Sequence, residues 1–251
     1  NYNEVQANLS SIKLEIAKQR GTIFDCNGYP LTNSKKKIIA CVSPTPRAIT
    51  AISTILKDKE LEGVLETLKG GKPAICEVPK IIECDGILCT EIYTSDNYIP
   101  AIHTVGYSNR DNNGACGIEK AYNSLLKNEI PLTIRYACDG KGRILQGVEP
   151  TIENKVSPLS FGVVSTIDIN IQNVVENVAE NLAKGAIVVA DANTSKIRGI
   201  VSVPTFTIDK IENILNDANT PLYNRSLGAY NVGSVFKLCV AASAIESGYE
   251  S

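Results

Sequence analysis

From Val235 to Ile245 the chain reads Val-Phe-Lys-Leu-Cys-Val-Ala-Ala-Ser-Ala-Ile, an apolar run interrupted by a single charged side chain. A run of this kind predicts a helix buried on nearly every side. A charged ammonium without a partner is costly there unless it gives up its proton, and a neutral lysine is a base. Lys237 follows Ser234 by three residues. Positions i and i+3 share a helix face, so Lys237 is placed to take the hydroxyl proton of Ser234. Gly233 supplies a turn just before the serine, which puts Ser234 at the helix N-terminus, where free N–H groups favour developing negative charge.

Spacing alone does not single out this pair. Ser-x-x-Lys occurs four times, at Ser10/Lys13, Ser34/Lys37, Ser124/Lys127 and Ser234/Lys237. The first and third fall on stretches of mixed polarity, read as helices whose lysines reach water, and Lys35-Lys36-Lys37 reads as a solvated turn or edge. Only the fourth combines a glycine turn, an apolar helix and an isolated charge. Its competing explanation is an N-cap serine followed by a lysine that snorkels to the surface.

The 251 residues leave room for two domains, and 43% hydrophobic with 21% charged residues is ordinary globular composition. A net charge of −2 with no basic stripe gives no sign of nucleic acid as a partner. No apolar run approaches the roughly 18 residues of a membrane span. The chain begins at Asn1 and contains no methionine, so a processed N-terminus is expected, with any targeting segment upstream. Eight cysteines occur without a C-x-x-C pair, alongside one histidine, His103, which argues against a metal site. Cysteines at apolar positions suit a cytosolic protein with reduced thiols, and equally an extracytoplasmic protein of an anaerobe. His103 has no carboxylate or cysteine pattern around it and reads as structural.

Apolar positions Val5, Leu9, Ile12, Leu14 and Ile16 predict a helix, or a helix passing into a strand, before Arg20-Gly21. Asp25 to Pro30 is a turn, Ile38 to Val42 a strand, and Pro46 to Leu68 a helical stretch stopped by Gly70-Gly71. Short strands alternate with turns through Val105. Gly117 to Leu126 reads as a short helix, and Leu132 to Leu145 as a hairpin. Prolines and polar residues between Gln146 and Phe161 mark a linker, dividing the chain into 1–150 and 151–251. Beyond it come a one-faced helix, Asn170 to Ala183, a hairpin of Ala186–Ala190 with Ile197–Val203, a long polar loop and the Ser234 helix. The fold class is α+β: an N-terminal domain followed by part of an α/β layer.

These residues, in this order, resemble the class B penicillin-binding proteins, peptidoglycan transpeptidases that carry a Ser-x-x-Lys signature. Arg20-Gly21-Thr22-Ile23-Phe24-Asp25-Cys26-Asn27-Gly28 is similar to the family's first N-terminal motif, with cysteine where arginine is usual. Gly114-Ala-Cys-Gly117-Ile118-Glu119-Lys120-Ala-Tyr122 is similar to a later one. Gly185 to Asp191, Ser202-Val-Pro204, Asn224-Arg225 and Gly233 to Lys237 follow the family's order into the active-site helix. Val232 stands where a proline is frequent. Neither of the motifs that complete the family's site, Ser-x-Asn and Lys-Thr/Ser-Gly, follows Lys237 in the 14 residues that come after it.

The resemblance implies a pedestal (dimerisation) domain over 1–150 and the start of a serine β-lactamase/transpeptidase-like domain over 151–251. It implies a peptidoglycan D,D-transpeptidase with Ser234 as nucleophile and Lys237 as base, no cofactor and no metal. The partners are stem peptides, β-lactam antibiotics and other cell-wall machinery such as a glycosyltransferase. The expected place is the outer face of the cytoplasmic membrane, tethered by an upstream helix. Arg20 and Glu119 are expected to pair and lock the pedestal motifs together, with Gly21, Asp25, Gly28 and Gly117 shaping its turns. Asn224 and Arg225 are expected to brace the loop entering the site. On its own the chain is expected to be catalytically silent, with residues 156–251 poorly packed or covered by another copy. The alternatives are a non-catalytic pedestal or interaction module and, less in keeping with residues 1–150, a β-lactam sensor or serine β-lactamase.

Overall fold

A computed structural model describes residues 10–145 and 147–249. Val5, Leu9 and Gln146, which carried parts of the sequence reading, lie outside them. The apolar alternation Ile12, Leu14, Ile16 forms a strand, β1 (Ser10–Ala17), and not a helix, so Ser10 and Lys13 lie on a sheet. β1 pairs antiparallel with β6 (Leu132–Cys138), which also pairs with β7 (Thr151–Glu153). A second sheet has β3 (Lys35–Val42) at its centre, flanked by β4 (Ala74–Val78) and β5 (Ile87–Thr94).

Ile39 and Cys41 of β3 pack with Leu132, Ile134 and Tyr136 on the first sheet. Ala40 and Val42, pointing the other way, pack on α1 (Pro46–Ser53) and α2 (Asp58–Lys69) through Ala48, Ile52, Val64 and Leu68. A central strand covered on both faces reads as a continuous apolar run, as Ile38–Val42 does. The lysine run is not a turn: Lys35–Lys37 pair with Thr94, Tyr93 and Ile92 of β5 and extend past the end of β4. Lys36 meets Glu91 at 2.5 Å and Lys37 meets Glu77 at 2.6 Å. The helical stretch from Pro46 is two helices, because the chain turns after Ser53 and resumes at Asp58 with φ of 50°.

The two halves of the chain meet in one core. β2 (Thr22–Phe24) runs parallel to β8 (Gly162–Val164), and Ile23, Leu31, Ile102, Val105 and Leu126 share one core with Ile167, Ile200 and Phe206. Residues on both sides of position 150 therefore build this core, with α3 (Ile102–Val105), α4 (Gly117–Ala121) and α5 (Asn123–Leu126) on its first-half side. The expected single helix from Gly117 breaks at Tyr122, whose φ of −108° leaves the helical region.

α6 (Ile169–Ala179) lies against the hairpin of β9 (Gly185–Ala190) and β10 (Ile197–Val203) through Val175, Ala179 and Val201. Its apolar face is narrower than the sequence suggests, since Val174, Val178 and Leu182 are exposed. A short helix, α7 (Ile211–Ile214), precedes the segment that ends in α8 (Lys237–Glu246). Among the described residues no helix is long and apolar enough to cross a membrane.

Candidate active site

Ser234 lies in a tight 3₁₀ turn, Gly233–Phe236, that runs directly into α8. Gly233 has φ of 55°, a conformation open to glycine without a Cβ penalty. In a 3₁₀ turn, side chains three apart eclipse one another, so Ser234 and Lys237 are on the same side of the backbone. Among the described residues no hydrogen bond joins Ser234 Oγ to Lys237 Nζ. The helix itself departs from expectation. Leu238 is 74% exposed, Val240 56% and Ile245 67%, and no side chain of α8 is buried by the described residues. The apolar run is present, but among the described residues no surface desolvates Lys237.

The approach to Ser234 is firmly held. Arg225 is buried, and its guanidinium donates to the carbonyls of Asn219 (2.6 Å), Thr220 (3.1 Å) and Tyr223 (3.3 Å) and to Thr220 Oγ1 (2.8 Å). These carbonyls take the place of a carboxylate partner. Asn224 caps the following turn by accepting from Ser226 N at 3.1 Å, and its Nδ2 donates to the His103 carbonyl at 3.2 Å. Ser202 Oγ, at the end of β10, donates to Tyr223 O and accepts from Arg225 N.

Arg20 and Glu119 lie far from Ser234 in chain and in role. Arg20 Nε donates to Glu119 Oε2 at 2.5 Å, with the other guanidinium nitrogens on the carbonyls of Asn112 (2.8 Å) and Glu119 (2.9 Å). Both residues are buried, and burial pushes the Glu119 carboxyl up, with Arg20 opposing it. Gly117, with φ of 60°, lets α4 begin where a Cβ would sit 2.3 Å from the Thr104 carbonyl. At Gly21 a Cβ would strike the Phe161 ring at 2.7 Å. Asp25 Oδ1 accepts from Asn27 N and Tyr29 N, both at 2.7 Å, around Gly28, so it is a turn residue. Its other oxygen accepts from Ile169 N at 3.2 Å, which ties the turn to the start of α6.

A search against protein families matches residues 185–251 to the penicillin binding protein transpeptidase domain. Stage V sporulation protein D of Bacillus subtilis is 25% identical over 94% of this chain and 40% of its own length. The peptidoglycan D,D-transpeptidase MrdA of Escherichia coli is 29% identical over 54% of this chain and 22% of its own. Residues 185–251 thus match the penicillin-binding protein transpeptidases, and the chain as a whole resembles their class B members. A solved family member, penicillin-binding protein PBP2 from Helicobacter pylori, superposes with a TM-score of 0.57 at 21% identity, covering 94% of this chain and 53% of that one. A complex of PBP2 with MreC from the same organism superposes at 0.53, with 20% identity over 95% of this chain and 53% of that one. The chain spans less than half the length of these curated relatives.

Two polar residues inside this penicillin-binding fold escaped the sequence reading. Asn33 Nδ2 donates to Arg20 O at 2.8 Å and to Thr22 Oγ1 at 3.1 Å, fixing the start of the strand inside the first motif. Gln172, fully buried, exchanges hydrogen bonds with both backbone groups of Ile200. It stands three and seven residues before Val175 and Ala179, so a polar residue on the apolar stripe was the available signal.

His103 is held by its surroundings: Nε2 donates to Pro221 O at 2.6 Å and the ring meets Phe206 edge-on at 5.0 Å. Burial, with Arg225 adding to it, holds its pKa below the ordinary 6.5 despite the Pro221 bond. As pH falls through about 6.5 the unfolded chain takes up a proton that the folded chain resists, so stability falls. The melting temperature should therefore drop between pH 7.5 and 5.5 by more in the native chain than in His103→Gln. Equal drops would mean that His103 titrates alike folded and unfolded.

Proposed function

We propose that this chain is part of a peptidoglycan D,D-transpeptidase in which Ser234 is the nucleophile and Lys237 its base. The observation that carries the reading is a glycine-led turn holding Ser234 and Lys237 on one side of the backbone, inside the stretch matched to the transpeptidase domain. Ser234 Oγ attacks the carbonyl of the penultimate D-alanine of a stem peptide while its proton passes to Lys237. The tetrahedral oxyanion collapses, the C–N bond to the terminal D-alanine breaks, and the proton returns to the leaving amine. An amine of a neighbouring stem then attacks the Ser234 ester, its proton passes through Lys237 to Ser234 Oγ, and the C–Oγ bond breaks as the new amide forms. The Ser234 backbone N–H, at the head of the helix, supplies one oxyanion donor.

Residues 1–150 are assigned to a pedestal and 151–251 to the start of the catalytic domain. The intact protein would work at the outer face of the cytoplasmic membrane, on an upstream anchor. β-Lactams would acylate Ser234 as substrate mimics. PBP2, whose fold this chain shares, is solved in complex with MreC, which supports another protein of the cell-wall machinery as a further partner. Labelling the full-length protein with a fluorescent penicillin and mapping the labelled peptide tests the reading: the adduct is expected on Ser234, and an adduct on any other residue would refute it.

A further inference from the structure

His103 is the only histidine of the chain, and the reaction above does not use it. It belongs to α3, in the first half, yet it makes two contacts with the segment leading to the serine. Its ring donates to Pro221 O at 2.6 Å, and its carbonyl accepts from Asn224 Nδ2 at 3.2 Å. Because a carbonyl only accepts, the ring proton must be on Nε2. One residue thus holds both ends of 221–224, while Ser202 holds the middle of the same segment from β10. Arg225 is the last buried residue before Ser234, and from Ala229 to Ser243 every residue is exposed. The 221–225 segment is therefore the final fixed point of the backbone before the nucleophile.

We propose that His103 is a positioning residue for Ser234, clamping 221–224 so that the serine turn leaves the core from one place and in one direction. The proposal rests on the reading of Ser234 as nucleophile. It is tested in the full-length protein by two measurements: the rate of acylation by penicillin, and amide hydrogen exchange over 219–227. His103→Phe keeps an aromatic ring against Phe206 and loses the donor. It should raise exchange about tenfold and slow acylation about tenfold, the worth of a typical hydrogen bond lost at a partly buried site. His103→Gln, which can still donate to Pro221 O, should stay within about threefold of wild type in both. Asn224→Asp keeps the Oδ1 cap on Ser226 and removes the donor to His103 O, so it should move both readouts as His103→Phe does. If His103→Phe does not fold, the other two variants decide. Wild-type acylation in the donor-deleted variants, with or without faster exchange, overturns the proposal. A wild-type protein that takes no label at Ser234 overturns the reading of the nucleophile and this proposal together, a result distinct from normal labelling that is insensitive to the clamp.

Discussion

In the full-length protein, Lys237→Arg is expected to lose acylation by penicillin while keeping the fold, and Ser234→Ala to take no label at all. A guanidinium stays protonated at any pH a protein survives, so it keeps the charge at position 237 and cannot accept the serine proton. Loss of a positioned base costs about 10²- to 10⁴-fold in rate. The fold of the 251-residue chain should be indifferent, because residue 237 is exposed in it and helps to bury nothing. Circular dichroism and melting of the variant check that half of the expectation, and stopped-flow labelling the other. Unchanged acylation kinetics in Lys237→Arg would make Lys237 a structural cation. Label that persists in Ser234→Ala would remove Ser234 from the mechanism.

Glu119→Gln is expected to cost about 3–5 kcal/mol in the 251-residue chain, measured by urea unfolding, because it leaves the Arg20 guanidinium buried without its counter-charge. Against a typical domain stability of about 5–15 kcal/mol, that is a large share. The pair as a whole should be worth far less. Burial already pushes the Glu119 carboxyl up in spite of Arg20, a sign that desolvation consumes much of the attraction. A double replacement, Arg20→Met with Glu119→Leu, should therefore destabilise much less than the two single changes added together. A loss below about 1 kcal/mol in Glu119→Gln would show that the carbonyls of Asn112 and Glu119 satisfy Arg20 unaided.

The pairing of Arg20 with Glu119 was legible because each belongs to a separate motif and a buried charge needs an opposite. The hairpin at Ile197–Val203, the turn at Asp25 and the central strand of the second sheet were legible from local pattern. What was not legible has a common cause: the outcome depends on neighbours distant in the chain. Ile12, Leu14 and Ile16 fit either period until β6 is there to pair with them. The apolar run after Ser234 states that α8 belongs under cover, but the cover is not encoded in the run itself, and α8 stands exposed. Gln172 looked like one more polar residue on a helix, and only the Ile200 backbone reveals why it is inside.

The parallel pairing of Thr22–Phe24 with Gly162–Val164 has a consequence in time. The two strands are 162 − 22 = 140 residues apart, and the apolar side chains around Ile23 wait for partners near Ile167 and Ile200. At a synthesis rate of roughly 5–20 residues per second, the earlier strand stays unmatched for about 7–28 s after it is made. The sandwich of sheets, whose last strand ends at Glu153, can close before that. So the first motif is buried in two steps: Arg20, its first residue, can meet Glu119 once 99 further residues have been made, while the strand behind it waits for Gly162–Val164.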